Sequence, residues 1–94
     1  MIRTPLKNVA DMAERNLSFG LPNIEELKNL KAGDFVKVIA SPERFWVEID
    51  GKTEGGYIGK INNQLVMTEK HGHQYGDVIF VSTENICQID HPRG

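Results

Sequence analysis

Two imidazoles one residue apart, His71-Gly72-His73, are the densest concentration of reactive side chains in this sequence. With Glu69 and Asp77 close by, they offer the nitrogen and oxygen donors that suit zinc or nickel. Metal sites usually draw on a second cluster of ligands, and only the distant Cys87 and His91 could supply one. That shortage argues against a metal centre, and no cofactor is expected. A small metal-dependent or cysteine enzyme using His71, His73 and Cys87 is the catalytic alternative, with an imidazole activating the thiol. Cys87 falls in an expected strand, however, where cysteine acts as a small buried hydrophobe. Asp34 and Asp77 could form a carboxylate pair, but each follows a glycine just before a strand, where aspartate caps a turn. Gly55-Gly56 with Gly59 lies between strands rather than before a helix, which fits a flexible hairpin better than a phosphate loop.

Trp46 is the most informative single residue. In Arg44-Phe45-Trp46-Val47-Glu48-Ile49-Asp50, strand alternation puts Phe45, Val47 and Ile49 on one face. Trp46 then shares the other face with Arg44, Glu48 and Asp50. A tryptophan among charges is either covered by another element or open to a ligand. Cover by Leu6, Val9 or Leu17 is the first expectation, because the N-terminal helices need a docking surface. A stacking platform whose acidic neighbours attract a cation is the second, and a contact with another subunit the third. Arg44, Trp46 and Glu48 are accordingly the candidate ligand or partner surface.

The elements that must position these residues change character along the chain. Thr4-Pro5 is a helix start, followed by Leu6, Val9, Ala10, Ala13 and Leu17 at helical spacing. Residues 18–22 break that pattern. A second start at Asn23, with Glu26 three residues on, predicts a short helix presenting Ile24, Leu27 and Leu30 and ending near Ala32-Gly33. From Phe35 the period becomes two. Strands are expected at Phe35–Ala40, Arg44–Asp50, Gly56–Ile61, Gln64–Thr68, Asp77–Val81 and Ile86–Ile89. Ser41-Pro42, Asp50-Gly51, Asn62-Asn63 and residues 69–76 are the expected turns, and residues 82–85 a single helical turn.

The fold expected is α+β: two N-terminal helices followed by a small antiparallel SH3-like β-barrel, since curling limits exposed edges. The 94 residues should form a single domain, with 1–31 as helical lid or arm, 32–90 as barrel and 91–94 as tail. Apolar residues face both sides of the strands, so the second face calls for the helices or another subunit.

Composition narrows the function classes. Apolar residues make up 39% and charged residues 26%, which is ordinary globular usage. A chain this short buries only about 60–65% of its unfolded surface, leaving a modest core. One cysteine forms no internal disulfide, and neither a membrane span nor a signal peptide is evident, so a cytoplasmic protein is expected. The net charge of −2 is uneven. Residues 1–31 sum to +1 and residues 32–90 to −4, the wrong sign for phosphate neutralisation. Nucleic acid is therefore a disfavoured partner, and a nucleic-acid or assembly adaptor only an alternative.

Glu43-Arg44-Phe45-Trp46-Val47-Glu48-Ile49, Gly59-Lys60-Ile61-Asn62-Asn63, Tyr75-Gly76-Asp77-Val78 and Glu84-Asn85-Ile86 together resemble a family of small uncharacterised bacterial domains. In that family a Phe-Trp-Val-Glu strand, a Gly-x-Ile/Leu-x-Asn turn and a Gly-Asp-x-Val strand recur in this order. Some members are carried in mobile DNA such as integron gene cassettes. The resemblance covers about residues 31–90 and implies the barrel and an accessory role, with no catalytic residue. A non-catalytic binding or interaction module is the leading expectation, a homo-oligomer with a protein or cationic small molecule as its ligand.

Overall fold

Strand β1, Phe35–Ala40, alternates its side chains so that Val36, Val38 and Ala40 are wholly buried. A computed structural model describes residues 5–9, 22–40, 43–65 and 71–92. Four more strands follow β1: β2 Glu43–Thr53, β3 Gly56–Ile61, β4 Val78–Ser82 and β5 Gln88–Asp90. All neighbours are antiparallel, in the order β4-β3-β2-β1-β5. A 3₁₀ turn, Thr83–Asn85, links the two edge strands and matches the helical turn expected there.

The sheet is open, which corrects the expected SH3-like barrel. β4 and β5 stand at opposite edges and do not pair. Closure would need a long final strand, but β5 has three residues and reaches only Phe35–Lys37 of β1. The buried face is instead covered from outside, by Leu30 and Ile86 and by the partly buried Leu6, Leu27 and Leu65.

Among the described residues the one complete α-helix is α1, at Ile24–Lys28, rather than the two N-terminal helices expected. Most of the first predicted helix lies outside the described residues, as do Ser41-Pro42 and most of the strand expected at Gln64–Thr68, whose Gln64 and Leu65 are not in a strand. Helix α1 begins as its sequence dictates. The Asn23 side chain accepts the Glu26 N–H at 2.9 Å, and the Glu26 carboxylate accepts the Asn23 N–H at 3.3 Å. A helix this short has no independent stability. It is held by packing of Leu27 on the core and by the Tyr57 hydroxyl, which donates to the Leu27 carbonyl at 2.7 Å. Ile24, expected on the same apolar side, is instead exposed.

The turn expected at Asp50-Gly51 is a bulge: the β2–β3 register slips between Ile49 and Gly51, and the strand runs on to Thr53. The chain reverses at Glu54-Gly55, where Gly55 takes φ +82°. Gly56 and Gly59 are not flexible spacers either. A Cβ on Gly59 would lie 2.5 Å from the Glu48 carbonyl oxygen and 2.7 Å from Val47 Cγ1, and one on Gly56 would collide with the Val81 carbonyl.

The recurring Gly-Asp pair marks an internal two-fold relation. In Lys31–Asp34 and Gln74–Asp77 the aspartate carboxylate accepts the N–H three residues back, at 2.8 and 3.0 Å. Each aspartate N–H returns to that residue's carbonyl, at 3.0 and 3.1 Å. The two glycines take φ +94° and +86°. Gly33 donates to the Ile49 carbonyl and Gly76 to that of Ile61, while Ile49 and Ile61 donate back to the Asp34 and Asp77 carbonyls. The register continues the match: Phe35–Glu48, Val36–Val47 and Lys37–Trp46 correspond to Val78–Lys60, Ile79–Gly59 and Phe80–Ile58. β1 on β2 is thus repeated by β4 on β3, about an axis between the two central strands.

Candidate functional site

The face of β2 that carries Trp46 is the one alternation predicts. Phe45, Val47 and Ile49 are buried on the core side, leaving Arg44 exposed and Trp46 and Glu48 half-buried on the other. Arg44, Trp46 and Glu48 therefore share one surface. The expected cover for Trp46 takes a different course: Leu6 packs against the core cluster on the opposite side of the sheet, and Leu17 lies outside the described residues. Trp46 instead takes its cation from the same chain. Lys37, its cross-strand partner on β1, holds its ammonium 5.4 Å from the ring centroid.

Beyond the β2–β3 ladder, the two asparagines expected as a tight turn anchor this region. The Asn63 side-chain oxygen accepts the Trp46 N–H at 2.9 Å, and the Asn62 N–H donates to the Trp46 carbonyl at 2.9 Å. An open cleft of about 180 Å³ lies alongside, lined by Glu48, Lys60, Ile61, Asn62, Tyr75 and Gly76. Glu48 and Lys60 face each other across β2 and β3. Farther toward the β4 edge the surface turns apolar. Ile58 is half-buried, while Tyr75, Val78 and Phe80 are 59%, 54% and 49% exposed. Sequence reading missed this patch because Val78-Ile79-Phe80-Val81 is apolar throughout, so periodicity alone does not show which pair faces outward.

The histidines serve a different purpose from the one their spacing suggests. His71 is fully buried, and its Nδ1 accepts the His73 N–H at 3.1 Å. An accepting Nδ1 places the proton on Nε2, which donates to Glu43 Oε1 at 2.8 Å. The His71 and His73 rings stand 5.9 and 5.7 Å from Phe45, centroid to centroid, and 5.5 Å from each other. This is a buried polar cluster satisfying Glu43, not an open ligand set. Glu43 was legible in principle, since alternation puts it on the core face with Phe45, where a carboxylate needs a partner. Among the described residues no three His, Cys, Asp or Glu side chains are grouped to hold a metal ion.

Cys87 lies just before β5 rather than within a strand, half-buried beside Lys37. Its N–H and thiol both donate to the Lys37 carbonyl, at 3.0 and 3.3 Å. Burial pushes the thiol above its ordinary range, against the pull of Arg44 and Lys37. A nucleophile needs the opposite shift. No hydrogen bond among the described residues joins Cys87 to His71 or His73. Asp34, almost wholly buried, holds His91 Nδ1 at 3.0 Å, a pair no sequence spacing announces. The two turn aspartates sit in separate turns, before β1 and before β4, and form no carboxylate pair in any contact described.

Among the described residues no helix is long and apolar enough to cross a membrane. No protein-family model matches the chain, and neither a curated protein nor a solved structure does.

Proposed function

We propose that this protein is a non-catalytic binding module, self-associating and cytoplasmic, whose ligand or partner lies on the outer face of β2 against Arg44, Trp46 and Glu48. One observation carries the reading. A half-buried tryptophan shares its sheet face with a cleft and with exposed Tyr75, Val78 and Phe80. Aromatic side chains at the rim of an apolar patch are characteristic of recognition surfaces. The reactive groups elsewhere are occupied: His71 by Glu43, and Cys87 by a carbonyl and a raised pKa. The resemblance to mobile-element domains supports an accessory role on the same footing. Glu48 and the −4 of residues 32–90 favour a protein segment or small molecule that brings positive charge.

The test is a thermal-shift screen across cationic small molecules, basic peptides, nucleotides and metals, with Trp46 fluorescence as second readout. A binder should raise Tm by mass action and shield Trp46 from acrylamide. Emission that is blue and unquenchable in a verified monomer would make Trp46 a core residue and end this assignment. Metal stabilisation abolished by His71 and His73 substitution would favour the enzyme alternative instead.

A further inference from the structure

The internal two-fold relation leaves one position unfilled. On β1 the outward-facing carbonyls of Lys37 and Ile39 are taken by the N–H groups of Cys87 and Lys7, at 3.0 and 2.8 Å, and β5 pairs along Phe35–Lys37. The counterparts of Phe35–Lys37 on β4 are Val78–Phe80. There, among the described residues, no further strand pairs with the sheet. Ile61 donates to the Asp77 carbonyl, so the ladder to β3 uses that carbonyl and the backbone groups of Ile79 and Val81. Those of Val78 and Phe80 point to the open edge. Ser82 is closed to a further strand, because its N–H already donates to the Asn85 side chain at 2.9 Å.

The two edges also differ in chemistry. β5 is three residues long and carries Asp90, the short charged form that discourages pairing. β4 is five residues long, Val-Ile-Phe-Val-Ser, with no charge, proline or bulge. Such an edge meets no like-charge penalty when opposed to itself.

We propose that a second copy of this chain occupies that edge, pairing β4 with β4 antiparallel across a two-fold axis at Ile79. The pairing gives the self-association in the reading above a location, and rests on that reading only for the oligomer itself. In this register Val78 faces Phe80 of the second copy and Phe80 faces Val78, two aromatic–β-branched pairs on one surface. Exposed Val78 and Phe80 are both covered, and the four open backbone groups of each copy are satisfied. An axis perpendicular to the sheet keeps both Trp46 faces on the same side. The ten-stranded sheet therefore presents them as one continuous surface.

Sedimentation velocity over a wide concentration range, with amide exchange on the same samples, tests the pairing. The unmodified chain should dimerise, and the Val78 and Phe80 amides should gain protection as concentration rises. Phe80→Lys and Val78→Lys, each at an exposed position, should weaken association at least about tenfold while keeping the far-UV spectrum. Trp46→Ala should leave the dimer intact. A chain monomeric throughout, lysine variants that stay dimeric, or a dimer whose Val78 and Phe80 amides exchange freely would overturn the proposal. Loss of the dimer in Trp46→Ala would also overturn it, moving the contact to the β2 face and leaving the binding-module reading standing. Should both lysine variants fail to fold, amide exchange in the unmodified chain decides.

Discussion

Glu43 shows how a single residue changes meaning once its neighbours are known. In the sequence it opens a strand of mixed charges; in the fold it faces inward and pairs with His71, whose other ring nitrogen accepts the His73 N–H. His71→Ala should therefore cost about 1–3 kcal/mol, because a mostly buried carboxylate loses a hydrogen-bond donor and the core loses a fully buried ring. Chemical denaturation would measure that loss. Cys87 makes a second residue-level case. Its thiol titrates above the ordinary range because burial disfavours the thiolate. The folded state thus holds its proton more tightly than the unfolded chain. Stability from this group is full below the unfolded thiol pKa and falls as pH rises through the higher folded value, beyond about pH 9. Iodoacetamide should accordingly label folded Cys87 more slowly than a cysteine peptide at pH 8 to 9. Equal rates would contradict the burial.

At the scale of elements, turns and glycines carry the information that hydrophobic pattern lacks. The two Gly-Asp turns share one geometry, yet their surroundings differ. Asp34 is 1% exposed and bound to His91, whereas Asp77 is half-buried. Asp34→Ala should destabilise more than Asp77→Ala, by about 1 kcal/mol or more, since the Asp34 carboxylate is the more deeply buried of the two and also holds His91. Matched Tm values for the two variants would show that His91 contributes nothing. Gly59→Ala probes the central pair of strands. Its Cβ would press on β2 backbone, which cannot rotate away, so a cost of about 1–3 kcal/mol is expected by thermal denaturation. Strands β1 and β3 were readable to the residue, because they alternate and end at turn-forming residues. The bulge at Ile49/Gly51 was not: Asp-Gly is equally at home in a hairpin turn, and only pairing with β3 keeps the strand extended there.

For the whole molecule, the decisive feature is an open sheet with unequal edges. Residues 32–90 sum to −4, so a low-salt gel shift with duplex DNA or single-stranded RNA should show no binding below micromolar concentrations. Salt-sensitive binding there would favour the adaptor alternative. Local signals determined much of this protein: the positions of β1 and β3, the alternation that sends Arg44, Trp46 and Glu48 outward, the capping box at Asn23 and the aspartate-capped turns. Each of these depends on residues a few positions apart, where backbone sterics and side-chain period act directly. Tertiary structure alone decided that the sheet stays open, that Leu6 packs on the core side, that Glu43 meets His71, and that among the described residues β1 gains a second neighbour where β4 has only β3. Those outcomes depend on which distant segments meet. An apolar strand is equally content beside β5, a helix or a second copy, and long-range packing chooses between them.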